Sequence, residues 1–303
     1  MQGLRGHAIS RNALDRGERV IAALAGRGLL RPGDVDAAPM AEMVELSHAH
    51  DLTYLESLND PTVLGRIFGV DAESMVIDLP LYAQRHAVGG TLLAAKTVTE
   101  CEAHIGINLG GGMHHAHRAQ GAGFCPYNDI AVAIARLRAS GFEAPIAVVD
   151  LDFHQGDGTE SIFANDPSVL TYSVHGSQWQ DISAVESINV ELPPRTRDDA
   201  YLEALSNSLP QHLRAHRPGL VFYLAGNDVL ADDALGDFSM SPLGVLHRDQ
   251  RVIEWTRSLG AKLVITLAGG YGDLAWRASM NMVRYVLTGY FRASAEAIDV
   301  RRR

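Results

Sequence analysis

The stretch "VVDLDFHQGDGTE", residues 148–160, places a cluster of ionisable side chains where an apolar run comes to its end. The run "IAVVDLDF", which overlaps it, is β-branched and apolar, and this pattern predicts a buried strand. Yet Asp150, Asp152, His154 and Asp157 lie on the strand or just after it. Because burying an unpaired carboxylate costs several kcal/mol, such a group is normally neutral, paired or bound to a metal ion.

Similar apolar runs recur after residue 100 and alternate with helical patterns. The predicted strands are "HIGINLGGG", "IAVVDLDFH", "VLTYSVH", "LVFYLAGND" and "KLVITLAGGY". The predicted helices between them are "DIAVAIARLRAS", "DAYLEALSNSLPQHLRAH" and "SPLGVLHRDQRVIEWTRSLG". This alternation predicts an α/β fold of three layers, with a mainly parallel central sheet between helices on both faces. Helical periodicity also predicts helices over residues 11–30 and 40–58, and we expect one domain over residues 1–303.

Composition limits the class of protein. The chain has 303 residues, 47% of them hydrophobic and 20% charged, which is typical of a globular protein. A formal net charge of −10 disfavours direct nucleic-acid binding through bulk charge. The two cysteines, Cys101 and Cys125, form no CxxC pair, and no run resembles a signal peptide or a membrane span. We therefore expect a cytoplasmic protein that does not associate with membranes.

Gly, His, Asp or Asn lies at or next to the end of each predicted strand, and ligands of open α/β sheets lie beyond the carboxyl ends of the strands. Asp152 and His154 are two residues apart on a predicted strand, so both side chains should point to the same side. Asp228 ends another apolar run and would be a third ligand of a divalent metal ion. Each residue taken singly is also compatible with an ordinary polar strand end. Dinuclear manganese ureohydrolases have D-x-H-x-D here, but Gly156 replaces the last carboxylate and favours a single metal.

The stretch "NLGGGMHHAHRAQGAGFCPYND" places His114 and His115 side by side after three glycines. They are either a surface pair or catalytic imidazoles, and in the second case each ring needs an acceptor on its other nitrogen. Asp150 and Asp157 have the chemistry for that role. Tyr271, in "LAGGYGD", either caps the sheet or donates to a developing oxyanion. A base, a metal and such a donor together predict metal-assisted amide hydrolysis.

The motifs resemble those of the zinc-dependent histone deacetylases and their bacterial relatives, which include acetoin-utilisation proteins and acetylpolyamine amidohydrolases. The matching motifs are "GGGMHHA", "GFCPYND", "VDLDFHQGDG", "AGNDVLADDALGDFSMSP" and "AGGY". They occur in the family's order between about residue 84 and residue 285. The fourth motif and "LPLYAQRHAVGGT" look most like the class IV branch and nearby bacterial sequences. The resemblance implies the arginase/deacetylase fold.

Roles follow from the resemblance position by position. It implies that Asp152, His154 and Asp228 bind zinc, with iron(II) as the other candidate metal. It implies that His115, paired with Asp157, is the base that activates water, and that His114, paired with Asp150, acts near the leaving amine. Tyr271 would hydrogen-bond the scissile carbonyl oxygen. A structural potassium ion would bind at the backbone of a further set of residues: Asp150, Asp152, His154, Ser173 and Val174.

The same resemblance implies a narrow substrate channel. Gly123 and Phe124 would line it, with the Gly123 carbonyl accepting the amide N–H of the substrate, and Leu235 would match another wall position. The segment after "TYSVHGSQWQDIS" lacks the family's Pro-Gly-rich loop, and Trp179 would stand in for the opposite aromatic wall. "ADD" adds Asp232 near the rim, as a solvated carboxylate or as a group that favours cationic substrates. The family's opening strand is short or absent before "GHAISRNALDRGERVI".

The sequence therefore predicts a zinc-dependent amidohydrolase that removes an acetyl or other acyl group from an acylated amine, such as acyl-lysine or an acylated polyamine. Two alternatives stay open: a dinuclear manganese ureohydrolase, and a catalytically silent protein that binds acyl-lysine or a small molecule. The sequence leaves the acyl-chain length, the source and association into a homo-oligomer open, although its Ala- and Arg-rich composition hints at a bacterial origin.

Overall fold

A six-stranded, entirely parallel sheet forms the centre of the protein in the computed structural model, which describes residues 15–31 and 33–289. Its strands are β1 (Ile105–Asn108), β2 (Ile146–Asp150), β3 (Val169–His175), β4 (Ser187–Glu191), β5 (Leu220–Leu224) and β6 (Lys262–Thr266). They lie side by side in the order β1-β6-β5-β2-β3-β4. Five of them are the apolar runs that the sequence predicts. Strand β4 was not predicted, because "SINVE" is only partly buried and lacks the continuous apolar run that marks the other strands.

Ten helices surround the sheet within the described residues. They are α1 (Arg16–Ala25), α2 (Met43–Leu46), α3 (Leu52–Ser57), α4 (Pro61–Phe68), α5 (Asp78–Glu100), α6 (Asp129–Ala139), α7 (Asp157–Phe163), α8 (Asp198–His216), α9 (Pro242–Ser258) and α10 (Ala275–Thr288). A single 3₁₀ turn covers Ala72–Ser74. None of the helices in this part of the chain is long and apolar enough to cross a membrane.

Alternating side chains of the strands pack into two separate cores, one on each face of the sheet. In β2, Ala147 and Val149 contribute to the core under α1, α8, α9 and α10, whereas Ile146 and Val148 contribute to the core under α5 and α6. Burial on both faces explains why the strands are continuously apolar rather than alternating in polarity. The predicted three-layer α/β/α architecture is confirmed.

The helix predicted over residues 40–58 is wrong as a single element. The chain forms α2 and α3 with a turn between them, in which Asp51 N donates to Arg118 O at 2.9 Å. His50 also turns inward and hydrogen-bonds the backbone of His117 and Asn128. These hydrogen bonds to residues distant in the chain stabilise the break between α2 and α3. The helix predicted over 11–30 is found as α1. Residues 11–14 lie outside the described residues, as does the start of the chain, where the opening strand was predicted to be short or absent.

Candidate active site

The carboxyl ends of three neighbouring strands come together in register at one edge of the sheet. Asp150 at the end of β2 pairs with Leu224 of β5, which pairs with Thr266 of β6. The chain therefore leaves these strands at the same level, and the residues that follow them face one another. Asp152 and His154 were predicted to lie on the strand, but β2 ends at Asp150 and both residues lie in the bend after it. Tertiary contacts, and not strand alternation, bring their side chains together.

Two loops bring the three residues into one cluster: the loop after β2 carries Asp152 and His154, and the loop after β5 carries Asp228. One ligand atom from each residue lies within 4.8 Å of the others. His154 Nδ1 lies 3.0 Å from Asp228 Oδ2 and 3.2 Å from Asp152 Oδ1. Both carboxylates are buried. Two carboxylates and one imidazole in such an arrangement can hold a divalent metal ion.

The pKa values of Asp228 and His154 indicate that the cluster lacks sufficient compensating positive charge. Burial and the nearby charge of Asp152 raise the pKa of Asp228 to about 7. Burial alone lowers the pKa of His154, but hydrogen bonds with Asp152 and Asp228 outweigh it and raise the pKa to about 10. Two buried carboxylates thus compete for one compensating positive charge. A divalent ion supplies that charge, so the donor set fits a metal ion.

His114 and His115 each donate from Nδ1 to a buried aspartate, as the sequence predicts for oriented imidazoles. His114 contacts Asp150 Oδ2 at 2.7 Å, and His115 contacts Asp157 Oδ1 at 2.6 Å. Burial lowers the pKa of His114, but Asp150 and Asp152 more than offset it and raise the pKa to about 9. Burial and the neighbouring His114 lower the pKa of His115 to about 4. The pair therefore contains one protonated and one neutral imidazole.

Tyr271 lies on the turn after β6, and this turn contacts the ligand cluster directly. Gly269 N donates to Asp152 Oδ2 at 2.7 Å, and a Cβ at Gly269 would lie 2.6 Å from Asp228 Oδ2. Only glycine allows such a close approach of backbone to the ligands. Burial and the charges of Asp152 and Asp228 raise the pKa of Tyr271 well above its usual value. Its hydroxyl therefore stays protonated at neutral pH.

The predicted channel residues surround this centre. Gly123 and Phe124 both have positive φ, 51° and 65°, and a Cβ at Gly123 would lie 2.2 Å from His115 Cδ2. Such strain in a phenylalanine is found mostly at functional sites. The Phe124 ring is 41% exposed and lies 6.2 Å from the Tyr271 ring. Trp179 is 46% exposed and stacks on His115.

The other predicted wall residue, Leu235, is half-buried and tied to the Tyr271 turn through Asp233. Asp232 is exposed, as the solvated interpretation predicts, but its Oδ2 also accepts from Leu274 N at 2.9 Å. This hydrogen bond stabilises the backbone of the turn after Tyr271.

The residues predicted to hold potassium also lie together. Asp150 pairs with Ser173 in the register of β2 and β3, and Val174 follows on β3. A small cavity beside them is lined by Asp150, Ser173 and Glu160 among others.

Several residues of the site were not predicted. Arg16, on α1, donates to the carbonyls of Ala268 and Gly269, the latter at 2.7 Å. Asp129 accepts from Gly112 N and Met113 N and so holds the turn before His114. Gln155 holds the loop that carries Trp179. Arg16 has no motif around it, whereas Gln155 lies inside the "DFHQGDG" motif, where its position was the available signal.

A family model described as "Histone deacetylase domain" matches residues 11–287. Histone deacetylase 2 of Arabidopsis thaliana is 35% identical over 266 residues, which cover 84% of this chain and 67% of the relative. The acetoin utilization protein AcuC of Bacillus subtilis is 30% identical over 271 residues, 81% of this chain and 68% of that protein. The crystal structure of the HDA15 HD domain superposes with a TM-score of 0.76 at 26% identity, over 91% of this chain and 81% of that one.

The fold has a parallel sheet between two layers of helices, and the carboxyl edge of the sheet carries the Asp-His-Asp cluster, two His–Asp pairs and a tyrosine. Together with the comparisons, this arrangement defines a deacetylase-type amidohydrolase. The chain belongs to the histone deacetylase family. The predicted family resemblance and fold class are confirmed, and the match extends further toward the N-terminus than the motifs alone indicated. Deacetylase activity, hydrolysis of an amide by water, follows from this membership.

Proposed function

We propose that the protein is a zinc-dependent deacylase that removes an acetyl or other short acyl group from an acylated primary amine. The observation that carries the proposal is the convergence of Asp152, His154 and Asp228 within 4.8 Å, next to the His115–Asp157 pair. Zinc held by these three donors supplies Lewis-acid chemistry at the substrate carbonyl. The remaining chemistry belongs to the side chains around them.

His115 is the base in this proposal. Its Nδ1 is committed to Asp157 at 2.6 Å, so Nε2 is the nitrogen that accepts the proton of the attacking water. Nε2 borders Gly123, the residue of the proposed channel wall. The lowered pKa keeps the ring neutral and ready to accept a proton at neutral pH.

His114 and Tyr271 have complementary roles. His114 carries a positive charge and lies 3.7 Å from Asp152 through Nε2, close enough to the cluster to give a proton to the leaving amine. Tyr271, protonated at neutral pH, donates to the carbonyl oxygen as negative charge develops there. The C–N bond breaks as His114 gives its proton to the amine, and the water oxygen ends in the carboxylate. The proton taken up by His115 then passes through solvent to His114, so both rings return to their starting state.

Substitution at these positions tests the proposal. We expect Tyr271→Phe and His115→Ala to lower kcat on an acetyl-lysine peptide roughly 100-fold or more, because each group acts in the transition state. Tyr82→Phe and His104→Ala are matched controls at exposed positions and should keep normal turnover. Acetate release is the measurement, and near-normal kcat in Tyr271→Phe or His115→Ala would contradict the assigned roles. The same assay with a panel of acylated lysines and polyamines identifies the amine and the acyl chain that the protein accepts as substrate.

We also propose that potassium binds beside the zinc strand, at the backbone of Asp150, Asp152 and His154 with Ser173 and Val174. The small cavity that adjoins Asp150 and Ser173, next to the backbone of these strands, supports it. We expect the melting temperature to be higher in potassium chloride than in choline chloride at equal ionic strength. Equal melting temperatures in the two salts would contradict the proposal.

A further inference from the structure

The loop after β3 lies directly over the His115–Asp157 pair. The indole of Trp179 is parallel to the imidazole of His115, with 3° between the planes and 4.2 Å between the ring centres. The next residue, Gln180, donates from Nε2 to Asp157 Oδ2 at 3.1 Å. Two consecutive residues of one loop therefore contact the two members of the pair.

A buried side chain holds this loop in place. Gln155 Oε1 accepts from Trp179 N at 2.7 Å and from Gln180 N at 3.0 Å, and Gln155 Nε2 donates to Gln180 O at 3.0 Å. The same Nε2 donates to Glu160, which also accepts from Asn189 of β4, the strand that follows the loop. Gln155 is completely buried, so it keeps these bonds without competition from water.

The contacts restrict the motions that would misalign the pair. Asp157 Oδ1 accepts from His115, and Oδ2 accepts from both Gln180 and His117. With partners on both oxygens, the carboxylate cannot rotate freely about its Cβ–Cγ bond. The stacked indole prevents the His115 imidazole from tilting toward Trp179. The orientation of an imidazole base is set by the acceptor on its other nitrogen, so both restraints act on the direction of Nε2.

We infer that Trp179 and Gln180 are positioning residues that hold the His115–Asp157 pair in its reactive orientation. The role of Trp179 thereby extends beyond the channel wall that the family resemblance implies. The catalytic consequence rests on the proposed function, in which His115 is the base. The orientation of the pair does not rest on the proposed function, and it can be measured in the absence of turnover.

Gln180→Ala removes one of the two donors to Asp157 Oδ2. We expect kcat to fall roughly tenfold with KM within about twofold of wild type, because the side chain contacts the pair and not the substrate. Gln178→Ala is the matched control: Gln178 is an exposed glutamine of the same loop, and its side chain donates to Gln180 O rather than to the pair. The control should keep the wild-type kcat and melting temperature. Wild-type kcat in Gln180→Ala would overturn the inference.

Substitution of Trp179 separates three roles. We expect Trp179→Phe, which keeps an aromatic face for the imidazole, to retain most of kcat, and Trp179→Ala to lower it roughly tenfold. A raised KM with unchanged kcat in Trp179→Ala would show a channel wall alone and would overturn the positioning role. A higher kcat in Trp179→Ala would show a cover that hinders the base, which also contradicts it.

A second measurement does not depend on activity. In protein with ¹⁵N-labelled histidine, the His115 ring signals are assigned by their loss in His115→Ala. We expect Gln180→Ala to shift the His115 ring nitrogens and the Nδ1 proton, and Gln178→Ala to leave them unchanged. If wild type releases no acyl group from any amine, the proposed function fails while this spectrum still tests the orientation. Identical His115 signals in wild type and Gln180→Ala would overturn the inference.

Discussion

At the scale of single residues, the aspartates of the site do more than provide charge, because each also fixes a segment of backbone. Asp152 accepts from His154 N at 3.0 Å and from Gly269 N at 2.7 Å. Asp228 accepts from Phe153 N at 2.9 Å. The three loops that meet at the cluster are therefore linked through its carboxylates. One oxygen of each carboxylate also remains next to His154, so the same residues serve structure and metal binding.

Asp228→Asn should weaken metal binding roughly 100-fold or more, because it removes one of the two carboxylates that hold the ion together with one imidazole. Metal content per chain, measured by inductively coupled plasma mass spectrometry after dialysis, should fall from one ion toward zero. Asp232→Asn is a control at an aspartate four residues further on, outside the cluster, and should retain the metal. Two ions per wild-type chain would instead support the dinuclear alternative.

At the scale of elements, Asp233 joins the loop after β5 to the turn after β6. Its Oδ2 accepts from Tyr271 N at 2.6 Å and Gly272 N at 3.0 Å, while Oδ1 accepts from Leu235 N at 2.8 Å and Gly236 N at 3.2 Å. One carboxylate thus holds the backbone of the proposed oxyanion donor and of a proposed channel wall. Charge-assisted bonds of this kind are stronger than neutral ones.

Asp233→Ala should lower kcat on an acetyl-lysine peptide roughly tenfold, because a looser turn places the Tyr271 hydroxyl less accurately. Asp233→Asn keeps one carbonyl acceptor and should lose less. Asp237→Ala, at an exposed position of the same loop, should match wild type in steady-state kinetics. Equal kcat in Asp233→Ala and Asp237→Ala would show that the carboxylate does not position Tyr271.

At the scale of the whole molecule, His50 attaches the N-terminal helices to the catalytic loops. Its Nδ1 donates to His117 O and its Nε2 accepts from Asn128 N, both at 2.9 Å. The ring is 1% exposed, and an acceptor nitrogen requires the neutral form. Burial lowers the pKa of His50 to about 4 despite the hydrogen bond to His117.

This lowered pKa predicts how stability depends on pH. An unfolded histidine has a pKa of about 6.5, so between about pH 6.5 and pH 4 the unfolded state binds the proton more readily than the folded state. The contribution of His50 is complete above pH 6.5 and is lost as the pH falls, by up to about 3 kcal/mol. The difference in unfolding free energy between wild type and His50→Gln, from urea titrations, should shrink over this range.

His48→Gln is the matched control, since His48 is exposed. A constant difference for His50→Gln over the same range would show that His50 does not have a lowered pKa in the folded state.

Much of the architecture was predictable because it depends on local patterns. Continuous apolar runs such as "IAVVDLDF" indicate strands buried on both faces, and polar residues at their ends indicate the edge where a site forms. That reasoning brought Asp152, His154 and Asp228 together even though the first two do not lie on a strand. It failed for residues 40–58, where His50 bonds to residues more than 60 positions away. It also missed β4, whose pairing with β3 is decided by the sheet.

The sequence by itself determined the alternation of five strands with helices, the edge that carries the site and the residue types gathered there, because hydrophobic periodicity and motif spacing act over short distances along the chain. Only the tertiary structure decided the hydrogen bonds around these residues: Asp233 accepts from the Tyr271 turn, Arg16 donates to the carbonyls of Ala268 and Gly269, and Gln180 donates to Asp157. These bonds join segments far apart in the chain. Their geometry depends on how the buried helices and loops pack, which short sequence patterns do not encode.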